Sequence, residues 1–273
     1  MPERHRSHRA IPPLGIAAWL ITVAGVASVL LGVVSPTATE AATTTTTKPK
    51  IVSKAIPLPA VPTPTTVAAP QVPTSTLLAS PLGTVPYYSG PGGPEAGTVG
   101  TWYGYALTLP VINEVPGYLE VRLPWRPNES VGWLADANVT LSSTPYRIQI
   151  NLTTMHLTLF KAGYSIGSFP VGIGVPATPT TPGEFFVAVK EIDPGPGYGP
   201  FALDTSAHST TIQSWEGTGD AIEAIHGPID SYADALIGTT GARVSNGCIR
   251  MHLADQAQLS MVEPGTPIDI LAG

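Results

Sequence analysis

The sequence predicts a mainly β protein, and three observations carry that prediction. Apolar and polar residues alternate with period two in Tyr146-Arg147-Ile148-Gln149-Ile150-Asn151-Leu152 and in Met155-His156-Leu157-Thr158-Leu159-Phe160, which turns one face of each strand toward a core. The 30 prolines and 28 glycines are well above average usage and suit short strands joined by many turns. Helical spacing appears clearly only over residues 252–262, through Leu253, Ala257, Leu259 and Met261, so one short helix is expected.

Taken in order, Arg4, Arg6 and Arg9 precede an apolar run over residues 15–34. Residues 1–42 therefore read as a signal peptide or membrane anchor: the run is long enough to span a bilayer, and Thr39-Glu40-Ala41 offers a small-residue cleavage site. Either reading carries everything downstream out of the cytoplasm, to the cell envelope or beyond. Residues 43–80 collapse to Thr, Pro, Ala and Val, with five threonines in succession at 43–47. Such a tract cannot build a core, favours a polyproline-like form and would reach on the order of 100 Å as a linker.

Residues 81–143 show short strand patterns with tight turns between them. Thr84–Tyr88, Tyr105–Leu109, Tyr118–Leu123 and Val131–Leu134 each suit a half-buried strand, and Ser89-Gly90-Pro91-Gly92-Gly93 is loop chemistry. Trp102, Tyr103, Trp125 and Trp133 are expected to pack this module rather than bind a ligand. In residues 144–273, Lys161-Ala162-Gly163-Tyr164 makes a turn, Pro179-Thr180-Thr181-Pro182-Gly183-Glu184 a proline-fixed loop, and Phe185-Phe186-Val187-Ala188-Val189 a strand. Ala221-Ile222-Glu223-Ala224-Ile225 is a strand that delivers His226 at its end, and Ile268-Asp269-Ile270-Leu271 closes the chain.

Charged residues make up 12% of the chain and the net charge is −6, which argues against a nucleic-acid partner. No histidines and carboxylates stand at metal-ligand spacing, so neither a metal nor another cofactor is expected. The chemistry concentrates in Val244-Ser245-Asn246-Gly247-Cys248-Ile249-Arg250-Met251, which holds the only cysteine. A lone cysteine in an exported chain cannot form an internal disulfide and is either an inert core residue or a reactive thiol. The Ser-Asn-Gly turn before it and the arginine after it favour the reactive reading, since low-pKa thiols sit in electropositive, partly exposed settings.

A thiol needs a base within hydrogen-bond reach. His226, where the chain turns at Gly227, is the best candidate, and His208, in the polar stretch Thr205-Ser206-Ala207-His208-Ser209, is its rival. His156 reads as a solvent-facing strand residue, His252 as a helix start, and His5 and His8 belong to the leader. A backbone carbonyl or Ser245 is the candidate for orienting His226. The amides of Asn246-Gly247-Cys248 are candidate oxyanion donors. Arg250 is a cation for a substrate carboxylate or one half of a structural ion pair. Trp215 and Tyr232 are candidate lid residues.

The pair of motifs Ile225-His226-Gly227 and Ser245-Asn246-Gly247-Cys248-Ile249-Arg250-Met251 resembles the signature of the L,D-transpeptidase catalytic domain. The segment from Tyr146 through the Thr181-Pro182-Gly183 loop resembles that family's first strands. Tyr118–Leu123 with Gly132-Trp133-Leu134 resembles the bacterial SH3-like modules of cell-wall enzymes. The resemblance implies a β-sandwich-like catalytic domain behind a small SH3-like β-barrel.

It also implies Cys248 as nucleophile and His226 as general base and later acid, with Ser245, Asn246, Gly247, Arg250 and Gly227 lining the substrate site. The implied substrates are peptidoglycan stem peptides, donor and acceptor, joined by a 3-3 cross-link, and the implied covalent inhibitor is a carbapenem-type β-lactam. An L,D-carboxypeptidase using water as acceptor and a non-catalytic wall-binding protein are the competing readings. The sequence departs from the family pattern at Asn246, where many members carry histidine, and in a longer segment 228–244.

Overall fold

The computed structural model describes residues 72–215 and 217–272. The leader expected over 1–42 and most of the linker lie outside the described residues. Among those described, no helix is long and apolar enough to cross a membrane. Residues 76–80, whose composition reads as the end of the linker, instead belong to a strand, β1 (Thr76–Pro81). Its Leu78 and Ala79 are buried between two neighbouring strands, and that pairing overrides the composition.

The strands that follow are β2 (Val85–Tyr88), β3 (Glu95–Val99), the small hairpin β4 (Thr101–Trp102) and β5 (Tyr105–Ala106), β6 (Leu109–Val115), β7 (Tyr118–Arg122), β8 (Val131–Ala135) and β9 (Val139–Thr144). Seven of them form one sheet in the order β3-β2-β8-β7-β6-β1-β9. Among the described residues no pairing joins β3 to β9, and β1 stands between β6 and β9; the closed SH3-like barrel expected from the sequence is not shown by these pairings. Trp102 is buried in its core with Leu109, Val121 and Leu134, whereas Tyr103 is exposed.

The second half comprises β10 (Tyr146–Asn151), β11 (His156–Lys161), β12 (Tyr164–Pro170), β13 (Ile173–Gly174), β14 (Gly183–Ile192), β15 (Phe201–His208), β16 (Ile222–His226), β17 (Arg243–Ser245), β18 (Ile249–Arg250) and β19 (Pro267–Leu271). Eight of these make a mixed sheet, order β12-β11-β10-β19-β14-β15-β16-β18. Residues from both of its ends, Leu157 and Leu159 of β11 and Ile249 of β18, share one core. The sheet therefore curls around its own interior. Among the described residues two short α-helices are present where one was expected. The helix read in the sequence is α2 (Leu253–Gln256), and α1 (Ser231–Leu236) is the addition, started by Asp230, whose carboxylate accepts from the Ala233 N–H at 2.7 Å.

Strand β14 explains how the two halves are joined. Its apolar run is continuous because both faces are covered. Phe185 and Val187 enter the core of the curled sheet, while Phe186, Ala188 and Val189 enter the core of the N-terminal sheet. A register irregularity between Val187 and Val189 turns the last two toward the same side.

Candidate active site

Strands β16 and β18 lie in parallel, with Ile225 opposite Ile249 and His226 opposite Arg250. Strand side chains alternate, so Ala224, His226, Cys248 and Arg250 share one face while Glu223, Ile225 and Ile249 turn to the other. The first face opens into a cavity of about 310 Å³, lined by these four residues and by Tyr198, Asp204, Trp215, Ser245 and Asn246.

His226 is buried, and its Nδ1 lies 2.7 Å from the Gly227 carbonyl. A carbonyl only accepts, so Nδ1 carries the proton and donates it, and Nε2 keeps the lone pair. The orienting group sought for His226 is therefore a backbone carbonyl and not Ser245. The Tyr198 ring packs on the imidazole with centroids 4.7 Å apart. Burial pushes the His226 pKa down to about 4; the Arg250 cation acts in the same direction, against the Gly227 hydrogen bond.

Cys248 is half-buried in the cavity wall. Its thiol is pushed up to about 11 by burial, which outweighs the Ala224 amide and Arg250; the Glu223 and Asp204 carboxylates add smaller contributions in the same direction as burial. The electropositive, low-pKa setting expected from the neighbouring arginine is thus absent. At neutral pH the resting pair is a thiol beside a neutral imidazole.

The turn that carries Cys248 is fixed from several sides. The Ser245 hydroxyl donates to the Cys248 carbonyl at 2.6 Å and accepts from the Gly247 N–H at 3.2 Å. Gly247 has φ +123°, which favours glycine, and a Cβ there would lie 3.0 Å from the Glu223 carboxylate, a tight approach. Thr180 donates to the Gly247 carbonyl at 2.7 Å, and Thr178 to the Asn246 side chain at 3.1 Å. Arg250 lines the cavity with its Nε buried and unpartnered, and no carboxylate pairs with it among the described residues.

Of the five residues expected to line the substrate site, Ser245, Asn246 and Arg250 line this cavity and the two glycines do not. Gly227 spends its N–H on the Tyr198 carbonyl at 2.7 Å and its carbonyl on His226, with the backbone of 197–198 packed where a side chain would project. Gly247 sits behind the cysteine, and its N–H, one of the candidate oxyanion donors, is taken by Ser245.

His208 is not in a polar loop. It ends β15, wholly buried, with Nδ1 on Asp220 at 2.9 Å and Nε2 on the Pro124 carbonyl at 3.1 Å. Both nitrogens are held by acceptors outside the cavity, which removes it as a rival base. His156 is exposed on β11, and His252 bonds Asp234 at 2.7 Å beside α2. Trp215 lines the cavity, but Tyr232 lies exposed on α1 away from it.

Sequence reasoning missed Tyr198, Asp204 and Glu223. For Glu223 there was a signal: one acid inside an otherwise apolar strand. Among the described residues no group of three His, Cys, Asp or Glu side chains is placed to hold a metal ion.

A model of the L,D-transpeptidase catalytic domain family, YkuD, matches residues 145–270. YkuD of Bacillus licheniformis, an L,D-transpeptidase by name, is 29% identical over 127 residues, covering 46% of this chain and 66% of its own length. The Bacillus subtilis protein of the same name is 28% identical over the same length. The chain thus spans 66% of these relatives. Among solved structures, an L,D-transpeptidase from Mycobacterium smegmatis is 18% identical, covering 60% of this chain and 90% of its own, with a TM-score of 0.37. The catalytic domain of the E. faecium L,D-transpeptidase is 25% identical and covers 46% and 96%, with a TM-score of 0.33. L,D-transpeptidase 3 from Mycobacterium tuberculosis, solved with a faropenem-derived adduct, is 17% identical and covers 54% and 75%, with a TM-score of 0.37.

Proposed function

We propose, from the premise that residues 145–270 belong to the L,D-transpeptidase catalytic domain family, that this chain is a cysteine acyltransferase of peptidoglycan acting outside the cytoplasm. The observation that carries this reading is the placement of Cys248 and His226 on one face of the β16–β18 pair, opening into one cavity.

His226 Nε2 takes the proton from the Cys248 thiol as the sulfur attacks the carbonyl of the donor stem's diamino acid. The tetrahedral intermediate collapses with loss of D-alanine, whose departing amine receives that proton, leaving a thioester on Cys248. An amine of a neighbouring stem then attacks the thioester, gives its proton to His226 and forms the new amide as the thiol is released. Nothing in this sequence needs a standing thiolate, which fits a thiol held up by burial and an imidazole held neutral. The unpaired Arg250 supports a role in binding a stem carboxylate. The leader over residues 1–42 supplies export or anchoring.

Intact-protein mass spectrometry after mixing with a donor tetrapeptide tests the reading. The expected result is D-alanine release as a covalent adduct forms, and loss of that adduct as cross-linked product appears with acceptor amine. Turnover to a free tripeptide regardless of amine would make the enzyme a carboxypeptidase. Absence of any adduct on Cys248 would end the enzymatic reading.

A further inference from the structure

Glu223 plays no part in the reaction just described, yet its surroundings are specific. It lies on the core-facing side of β16, opposite the cavity, and is buried. Its two carboxylate oxygens accept from the Thr181 N–H at 3.1 and 3.0 Å, and one also accepts the Thr181 hydroxyl at 2.7 Å. No cation pairs with it among the described residues. An unpaired carboxylate in such a place is costly, and apolar replacements would fill the space more cheaply. Its other neighbour is the backbone of Gly247, where a Cβ would come within 3.0 Å of the carboxylate. Thr181 and Thr180 are adjacent, so one loop grips the cysteine turn twice: at the Gly247 carbonyl directly and behind Gly247 through Glu223. The amide that follows Glu223, that of Ala224, is the one that donates toward the sulfur.

We propose that Glu223 is a positioning residue for the Cys248 turn, bracing it from behind the cavity and opposing thiolate formation through its negative charge. The charged and titratable groups around this unit are Cys248 itself, Arg250 on β18, Asp204 on β15 and His226 on the same strand as Glu223; the loop over 178–182 brings only hydroxyls and amides. Of the two carboxylates that act on the sulfur, Glu223 acts more strongly than Asp204, and burial lifts its own pKa to about 7, against the pull of Thr181. Its charge therefore changes across neutral pH, with the thiol hardest to ionise when Glu223 is deprotonated. The inference rests on Cys248 being the nucleophile only for its catalytic consequence.

The test is the pH profile of iodoacetamide alkylation of the purified full chain, where a single cysteine gives a single reporter. Glu223→Gln should move the half-maximal pH down by about one unit and so speed alkylation at pH 8 roughly tenfold. Glu223→Asp, which keeps the charge, should hold the parent profile. A Gln profile that coincides with the parent, or an Asp profile displaced as far as the Gln one, overturns the proposal. If Glu223→Gln fails to fold by near-ultraviolet circular dichroism, Thr181→Val is read instead. It removes one donor, leaves the carboxylate more often protonated near pH 8, and should speed alkylation at that pH by less than Glu223→Gln does; an unchanged rate at pH 8 in that folded variant also overturns it. Alkylation needs no stem peptide, so these outcomes are independent of whether transpeptidation is found.

Discussion

His226 and His208 end antiparallel neighbouring strands, and both are buried. Their surroundings make them opposites. His226 commits one nitrogen to its neighbour's carbonyl and keeps the other for the cavity. His208 commits both, to Asp220 and Pro124, and sits among Arg126, Asn128 and Trp102 where the N-terminal sheet meets the curled one. The same side chain is the base of the proposed reaction in the first place and a fastener in the second. What separates the two roles is the number of ring nitrogens left without an acceptor, and neither burial nor polarity of the local sequence reports it.

The largest effect expected is at the sulfur those roles serve. Cys248→Ala should abolish covalent adduct formation with a donor peptide or a carbapenem, read by intact mass, with the melting temperature nearly unchanged. Adduct on the Ala variant would move the nucleophile elsewhere. The histidines then divide. His226→Gln should slow acylation by about 10²–10⁴-fold at small cost in stability. His208→Gln should cost about 3 kcal/mol in chemical denaturation, because Asp220 loses a buried partner, with acylation of the folded protein within about threefold of the parent. An exchange of those two outcomes would break the contrast between the two sites.

The pH dependence of stability sharpens it. Burial holds the His226 pKa of the folded chain down at about 4, below the 6.5 of a free imidazole, so between these values the unfolded chain binds more protons than the folded one. The contribution of a neutral buried ring is full above pH 6.5 and is lost as pH falls through 4. The parent should therefore lose on the order of 3 kcal/mol more than His226→Gln between pH 7 and pH 4, measured by urea denaturation. Glu223 and Asp204, both raised, act with the opposite sign over this range, but they are common to both proteins and cancel in the difference. Parallel curves for the two proteins would contradict a buried neutral imidazole.

How much of this could be read from the sequence follows from where each residue finds its partners. Cys248 and His226 were legible because the turn chemistry beside the cysteine and the strand that ends at the histidine are local. The run Phe185-Phe186-Val187-Ala188-Val189 was legible as a strand, but not as the wall between two cores, since the second core comes from a distant part of the chain. His208 misled because Thr205, Ser206 and Ser209 look like loop residues; the acceptor of its Nε2 lies 84 positions away. The expected electropositive cysteine failed for a similar reason: Arg250 is two residues away in sequence, whereas the burial that raises the thiol, and the smaller opposition of Glu223 and Asp204, come from other strands. Strand β1 was hidden by composition continuous with the linker before it.

The smallest effect expected tests whether the two histidine sites are mechanically separate. Arg126 bonds Asp220 at 3.0 Å and the carbonyls of Ser209 and Ile212 at 2.9 and 3.1 Å. Ser209 and Ile212 also line the cavity that holds Cys248 and His226, so the fastener that holds His208 shapes part of the cavity rim. Lysine has no planar fork and cannot reproduce three such bonds. Arg126→Lys should cost only about 1 kcal/mol, given the partial exposure of the pair. It should also raise KM for the donor about twofold to threefold while the maximal acylation rate holds. A fall in that maximal rate with KM unchanged would mean that the junction reaches His226 or Cys248 themselves, and the division between fastener and base would have to be redrawn.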